Sequence, residues 1–460
     1  MTTLLWFQRD LRINDNPALS HALELGQPLI AVYIHSPEQD AQWTEGAASR
    51  WWLHHSLQQL GTDLLKLGIQ LQLFEADPCQ IIPQLVQDYR IQNVCWSNRH
   101  EPARLQLEHR LQTRLQSEGC QVQRFAQDLL ASPDQLLTAA KQTPYRVFTP
   151  FYNKLRSQLA LHAMKPLTPL KAQIVQPDRP THSAALSLDQ LGLLDRHSWH
   201  QKLHQYWTPG EHSAQSQLQD FIDDTLNSYT KQRDYPAIKG SSGLSPHLHF
   251  GEISPQQILQ ALAPLIEFGS SQQASGAEAF LRQLIWREFA RYTLWHFPHS
   301  STQPMNPKFS NAFWHEDSIA LERWQQGKTG IPIIDAGMRE LWQSGSMHNR
   351  VRMLVASLLT KNMGIPWQQG ARWFWDTLVD ADLANNTMGW QWVAGCGVDA
   401  APYFRIFNPV TQATRFDPQQ QYIRHWLGNS PASEAMLDLK LTRQQALERY
   451  QGLTTHSNGD

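Results

Sequence analysis

The chain has 460 residues, of which 41% are hydrophobic and 17% charged, and its formal net charge is −2. That supplies apolar material for a large core and too little charge for a disordered chain. Near-neutrality excludes a polycation, so a nucleic-acid partner has to meet a local basic face. Along the chain, TLLWF (3–7), PLIAVYI (28–34), IQLQLF (69–74), NVCWS (93–97) and QVQRF (121–125) read as strands. Between them run helix-like segments. In one of these, Leu53, Leu57, Leu60, Leu64 and Leu67 step by four and three along one helical stripe. Apolar strands alternating with helices predict an α/β amino-terminal domain over 1–130, a Rossmann-like parallel sheet covered on both faces. The loop after the first strand, Gln8 to Asn14, has no glycine, so the GxGxxG of a dinucleotide fold is missing.

From 131 to 209 proline, glutamine, serine and histidine become frequent, and the stretch reads as an interdomain linker wrapped over a surface. After Pro209 the strand signal stops. Ser254-Pro255-Gln256-Gln257 has the form of a helix start, with serine as cap, proline in the first turn and glutamine three residues on. Residues 210–450 are therefore expected to form an all-α domain, followed by a frayed tail, HSNGD. The four cysteines, Cys79, Cys95, Cys120 and Cys396, make no CxxC pair, which argues against a zinc ribbon or a disulfide framework and for a reducing compartment. The amino terminus has no basic leader, and no apolar run reaches about 18 residues. The expectation is a cytoplasmic monomer with no membrane span.

Three familiar motifs fail on inspection. Gly327-Lys328-Thr329 imitates the end of a phosphate loop, but Glu322 stands where the first glycine is required. His247 and His249, two apart, point to different faces of a helix and suit a metal poorly, and there is no HExxH. No Gly-x-Ser-x-Gly elbow occurs. The unusual figure is 18 tryptophans, a residue that ordinarily fills cores and interfaces.

Chemistry concentrates between 229 and 409, where polar residues are set among aromatics: YTKQRDYP (229–236), GSSGLSPHLHFGEISP (240–255), LRQLIWREF (281–289), GKTGIPIIDAGMREL (327–341), MHNRVRM (347–353) and DTLVDADLANNTMGWQWVAGCGVDAAPYFRIFNP (376–409). Ser241, Ser242 and Ser245 surround Gly243 and Leu244 at a turn into a helix, a pattern that suits a pyrophosphate and equally an ordinary capped turn. Asn349, Arg352 and Met353 share one helical face. If buried, Arg352 needs a carboxylate, and Asp380 or Asp382 can supply it, as a structural ion pair or as part of a site. Trp390 and Trp392 point about 200° apart on a helix, so they serve different surroundings.

These segments, with WFQRDLRINDNPAL at the start and VFTPFY (147–152), resemble the photolyase–cryptochrome family in order and over nearly the whole chain, most closely its microbial branch that repairs cyclobutane pyrimidine dimers. The resemblance implies an α/β antenna-type domain, a linker and an all-α FAD-binding catalytic domain. It implies light-driven repair of dimers in DNA by electron transfer from excited FADH⁻, by flipping the lesion out of the duplex. It assigns the FAD phosphates to Ser241, Ser242, Gly243, Leu244 and Ser245 with Tyr229 nearby, and adds Gln283, Arg287 and Asn349 to the cofactor site. It pairs Arg352 with Asp380 beside the flavin ring, bonds Asp382 to that ring and sets Asn386 opposite flavin N5. Trp390, Trp367 and Trp314 become an electron chain from flavin to surface. Trp286, Trp392, Asn349 and Met353 belong to the lesion pocket, and Arg233, Arg350 and Arg405 to DNA phosphates.

The sequence departs from the family's pattern at several points. The usual arginine of the phosphate loop is Gly243, the substrate glutamate is Gln283, and the tryptophan before MHN is Ser346. These departures keep open a cryptochrome-like blue-light receptor, or a photolyase for another photoproduct or for lesions in single strands. In the antenna motif Asn98-Arg99-His100-Glu101-Pro102-Ala103-Arg104, histidine replaces tyrosine and Arg104 stands where folate-binding members carry an acid. A second chromophore, methenyltetrahydrofolate or a deazaflavin, is left open.

Overall fold

A computed structural model describes residues 2–126, 128–159, 161, 180–194, 198–309, 314–428 and 433–455. Linker residues 162–179 and the tail 456–460 lie outside the described residues. Five strands, β1 (Thr3–Phe7), β2 (Leu29–His35), β3 (Leu71–Glu75), β4 (Asn93–Ser97) and β5 (Gln121–Phe125), form one parallel sheet in the order β3-β2-β1-β4-β5. β1 is central, with Thr3 opposite Leu29 on one side and Asn93 on the other. The period of two then sorts the strands between two cores. Leu5, Phe7, Ala31, Tyr33 and Cys95 enter one, and Leu4, Trp6, Val32, Ile34 and Trp96 the other.

Helices α1 (Pro17–Glu24), α2 (Ala47–Lys66), α3 (Pro78–Tyr89) and α4 (Pro102–Ser117) cover the sheet. The leucine stripe of α2 packs against the first core, with Leu53, Leu57, Leu60 and Leu64 buried and Leu67 at the helix end. The loop after β1 closes on a carboxylate where a dinucleotide fold holds phosphate. Asp10 accepts bonds from Gln8 N at 2.8 Å and Ser97 Oγ at 2.7 Å, and burial pushes its pKa up.

The linker is more structured than its composition predicts. Residues Phe148–Gln158 form α5, and Phe148, Phe151 and Leu155 enter the core of the helical domain. Further on, Leu186 makes a single antiparallel bridge to Leu73 of β3, and Leu191, Leu193 and Leu203 pack on the sheet side. These anchors fall in short apolar runs too irregular in spacing to show a helical or strand period.

After Pro209 every described regular element is helical: α6 (Glu211–Asp220), α7 (Tyr229–Gln232), α8 (Ser245–Phe250), α9 (Pro255–Phe268), α10 (Ser271–His296), α11 (Ser318–Gln325), α12 (Pro332–Ser344), α13 (Asn349–Ser357), α14 (Trp367–Thr377), α15 (Leu383–Ala394), α16 (Pro409–Phe416), α17 (Gln421–Leu427) and α18 (Leu439–Thr455). The expected capping box at Ser254 and Gln257 forms, and Ser270 with Gln273 opens α10 in the same way, each contributing about 1 kcal/mol. Short π-helical turns interrupt the chain at Phe221–Thr225 and Leu358–Asn362. Gly327-Lys328-Thr329 lies between α11 and α12, where Asp335 accepts the Thr329 N and Oγ at 2.7 Å each. It is a capped turn, not a phosphate cradle.

Candidate cofactor and DNA site

The loop before α8 is tied to an ion pair almost 140 residues away in sequence. Ser245 Oγ donates to Asp380 Oδ2 at 2.7 Å, and Arg352 Nη2 donates to both oxygens of Asp380 at 3.1 and 3.0 Å. Arg352 Nε donates to the Met347 carbonyl, so the guanidinium is held from two sides. Gly243 adopts φ +68°, the left-handed region, where an arginine would carry roughly 1 kcal/mol of strain. Ser241 is exposed, Ser242 Oγ accepts from Leu244 N, and Leu244 is buried. Tyr229, buried behind the loop, meets Phe221 and Phe280 edge-on, and burial raises its pKa.

Asp382 caps α15 by accepting from Asn385 N at 2.8 Å and pairs with Arg291 at 2.8 Å. Burial alone would raise its pKa, but Arg291, His249 and Arg287 outweigh it and hold the carboxyl well below the usual range. Asn386 Nδ2 donates to the Ala371 carbonyl of α14 at 2.9 Å, which leaves its side-chain oxygen as an acceptor for an N–H. Arg287 is turned toward the domain interface. It contacts Asp128 and Glu288, and its Nη2 reaches the Leu248 carbonyl of α8 at 3.5 Å.

These groups fit a flavin dinucleotide. Hydroxyl and main-chain donors stand at one end, a carboxylate–guanidinium pair is bonded to that end, and an oriented amide lies on the neighbouring helix pair. Ser245, Asp380 and Arg352 form one bonded set, and Asp382 and Asn386, at the start of α15, form a second with Arg291 and Ala371. Asn349 begins α13 and is exposed, and Gln283 lies on α10 and is half-buried.

Trp390 is buried against Phe374 at 4.9 Å and Trp324 at 6.2 Å, both edge-on. A Cβ on Gly370 would lie 2.1 Å from the Trp390 ring, so glycine on α14 is what admits the indole. Trp367 is fully buried in the same core, and Trp314 is half-buried against it, with its Nε1 bonded to the Phe309 carbonyl at 3.2 Å. The Nε1 groups of Trp390 and Trp367 have no partner among the described residues.

On the outer side, Trp286 stacks on Phe148 of the linker at 3.5 Å, and Trp392 stacks on Phe407 at 6.5 Å. The two indoles belong to different cores, and Met353 packs on the core of Trp392. Arg233 lies over Tyr229 at 5.7 Å. Arg350 pairs with Asp234 at 2.8 Å and covers the Phe416 ring at 4.2 Å, and Arg415 flanks the same ring. Arg405 is exposed between α15 and α16. Sequence reasoning missed Gly370, Arg291 and Phe416, whose partners Trp390, Asp382 and Arg350 are distant in sequence.

A polar crevice at the ends of β1 and β2 is closed by the chain's own charges. Arg104 pairs with Asp40 at 2.6 Å and Arg9 with Glu45 at 2.5 Å, while Arg99 at its edge pairs with Glu101 at 2.7 Å. His100 is buried beside Arg291 and Arg287, and burial above all pushes its pKa down to about 3.

A sheet domain joined to a helical domain with this cluster defines a flavin-dependent, DNA-directed class of protein, and comparison with known sequences agrees. The profile described as DNA photolyase matches residues 3–172, and that described as FAD binding domain of DNA photolyase matches residues 280–451. A deoxyribodipyrimidine photo-lyase of Agrobacterium fabrum is 42% identical over 92% of this chain and 86% of its own length. Cryptochrome-2 of Arabidopsis thaliana is 35% identical over 92% of this chain and 70% of its own. The crystal structure of a class III photolyase from Agrobacterium tumefaciens superposes with TM-score 0.91 at 36% identity, over 99% of this chain and 98% of that one. The chain belongs to the DNA photolyase family.

Proposed function

We propose that this protein is a deoxyribodipyrimidine photo-lyase that repairs cyclobutane pyrimidine dimers in DNA, with FAD as its chromophore. The observation that carries the reading is the linked set Ser245–Asp380–Arg352, together with Asn386 and Trp390, both fitted against α14. Bound FAD in its reduced anionic form supplies, on absorbing blue light, the electron that opens the cyclobutane ring and receives it back.

The chain's own residues do the rest. Ser241, Ser242, Gly243, Leu244 and Ser245 hold the phosphates, with Tyr229 behind them. Arg352 places positive charge beside the ring, compensated by Asp380, while Asp382 is kept ionised by Arg291. Asn386 offers a neutral acceptor to an N–H. Trp390, Trp367 and Trp314 are oxidisable groups leading outward through a dry core. Trp286 and Trp392 provide two apolar walls for the linked pyrimidines taken out of the stack. Gln283 can hydrogen-bond a pyrimidine carbonyl, but it has no acidic proton to give. Arg233, Arg350 and Arg405, with Asn349, meet the phosphates of the flanking strand.

The connector 131–209 separates the antenna-type domain, 1–130, from the catalytic domain, 210–450. The protein works as a monomer, and its four unpaired thiols support a reducing, cytoplasmic setting. The experiment is illumination of purified, reduced protein with an oligonucleotide carrying one dimer. Reappearance of intact pyrimidines is expected, and their failure to reappear sinks the repair reading. Gln283, Gly243 and Ser346 favour the second reading, a blue-light receptor. Light-dependent binding of a protein partner without binding of the lesion would select it.

A further inference from the structure

Lys361 has no role in the reading above, yet it is an expensive residue. It lies in the π-helical turn Leu358–Asn362 and is fully buried. A buried ammonium ordinarily demands a carboxylate. Among the described residues none is paired with it. Its Nζ donates to one main-chain carbonyl, that of Arg405, at 2.9 Å, and stands 5.2 Å from the Tyr403 ring centre.

The carbonyl belongs to the irregular segment between α15 and α16. There the Arg405 side chain is exposed and Phe404 is 63% exposed. The segment has a second tether to the same place, because Phe407 N donates to the buried Ser357 Oγ at 3.2 Å. The turn itself is clamped from α18, where Arg449 Nη2 donates to the Lys361 carbonyl at 2.5 Å. A π turn inserts one residue into a helix and re-aims its side chains, and such turns concentrate at functional sites.

We propose that Lys361 is a positioning residue for DNA binding: its ammonium holds the Arg405 carbonyl and so presents the Arg405 guanidinium to the phosphate backbone. The inference rests on the DNA reading of Arg405. A charge-assisted bond is roughly twice as strong as a neutral one, so the tether depends on the proton. Burial lowers the amine's pKa to about 7; Cys396 opposes the shift, and Arg405 adds a smaller lowering. The other ionisable groups around it are Tyr403 and Arg449, and α13 and α14 contribute none to its shift. Below pH 7 the tether is charged, and above it the bond persists in its weaker neutral form. DNA affinity therefore falls as pH rises from 6 to 8.

The test measures binding of the FAD-loaded protein to a duplex with one cyclobutane thymine dimer, and to the same duplex undamaged, at pH 6, 7 and 8 and fixed salt. Lys361→Met is expected to weaken binding about five- to tenfold at pH 6 and to flatten the pH profile. Lys361→Arg, always charged, is expected to bind tightly at all three values. Added to Arg405→Ala, Lys361→Met should cost nothing further, whereas a merely structural lysine would give additive losses. If Lys361→Met loses its fold, the comparison of wild type with Arg405→Ala decides, since the pH dependence must disappear in the latter. Wild-type affinity and pH profile in folded Lys361→Met, or a pH profile unchanged in Arg405→Ala, overturns the inference alone. Absence of any lesion binding by the wild type overturns it together with the repair reading.

Discussion

At the scale of the residue, single atoms decide where the oxidisable and charged groups stand. Gly370 is the sharpest case, because one methyl group would overlap the Trp390 ring. Gly370→Ala is expected to cost about 1–3 kcal/mol through overpacking. It should slow photoreduction of bound FAD several-fold while lesion binding persists, a split that flash photolysis and a binding titration resolve. Arg405→Ala should weaken damaged and undamaged duplex together and lower the slope of log affinity against log salt by about one, read from titrations across a salt series. Asp380→Asn leaves Arg352, which is 25% exposed, without its counter-charge and weakens the Ser245 link. The expected result is at least a tenfold loss in FAD affinity, by equilibrium release of the flavin, with the helical content by circular dichroism unchanged.

At the scale of the element, the helices were legible where amphipathic period and caps agree, as in the α2 stripe and the start of α9. α5 was not, because only its contacts with α10 make Phe148, Phe151 and Leu155 core residues. The packing of α12 on α17 is another feature without a local signal. Glu340 of α12 accepts from the Tyr422 hydroxyl at 2.5 Å and from His348 N at 3.2 Å, and burial pushes its pKa to about 7 from 4.5. The folded protein keeps this proton over a range in which the unfolded chain has lost it. Its contribution to stability therefore falls as pH rises from about 4.5 to 7 and levels off above. Glu340→Gln, which keeps a hydrogen-bonding side chain without the ionisation, is expected to flatten that part of the curve by about 1–3 kcal/mol, measured by urea denaturation between pH 5 and 8.

At the scale of the whole molecule, two domains meet through buried polar contacts as well as apolar ones. Trp52 of α2 donates to Glu252 at 3.0 Å, and His247 bonds the other oxygen at 2.5 Å. Gly251, at φ +69°, passes so close to the loop after β1 that a Cβ would lie 1.9 Å from the Arg9 carbonyl. Arg287 and Arg291 of α10 reach back to Asp128, and Arg291 continues to Asp382 in the site. Gly251→Ala is therefore expected to open the interface, lowering stability by about 2–4 kcal/mol and weakening FAD retention, seen as flavin release before global unfolding in a thermal scan. Through Arg291 the interface is coupled to Asp382, at the start of α15.

Strand positions, helix caps and the residue types of the site were determined by the chain itself, because period, capping chemistry and motif spacing are properties of neighbours in sequence. The folded structure alone decided which partner each polar group takes. Ser245 finds Asp380, Arg291 rather than Arg352 pairs with Asp382, and Arg104 turns to Asp40. Ion pairs and ring contacts act over a few ångströms between segments separated by tens to hundreds of residues, and only the packing of helices and sheet brings those segments within that reach.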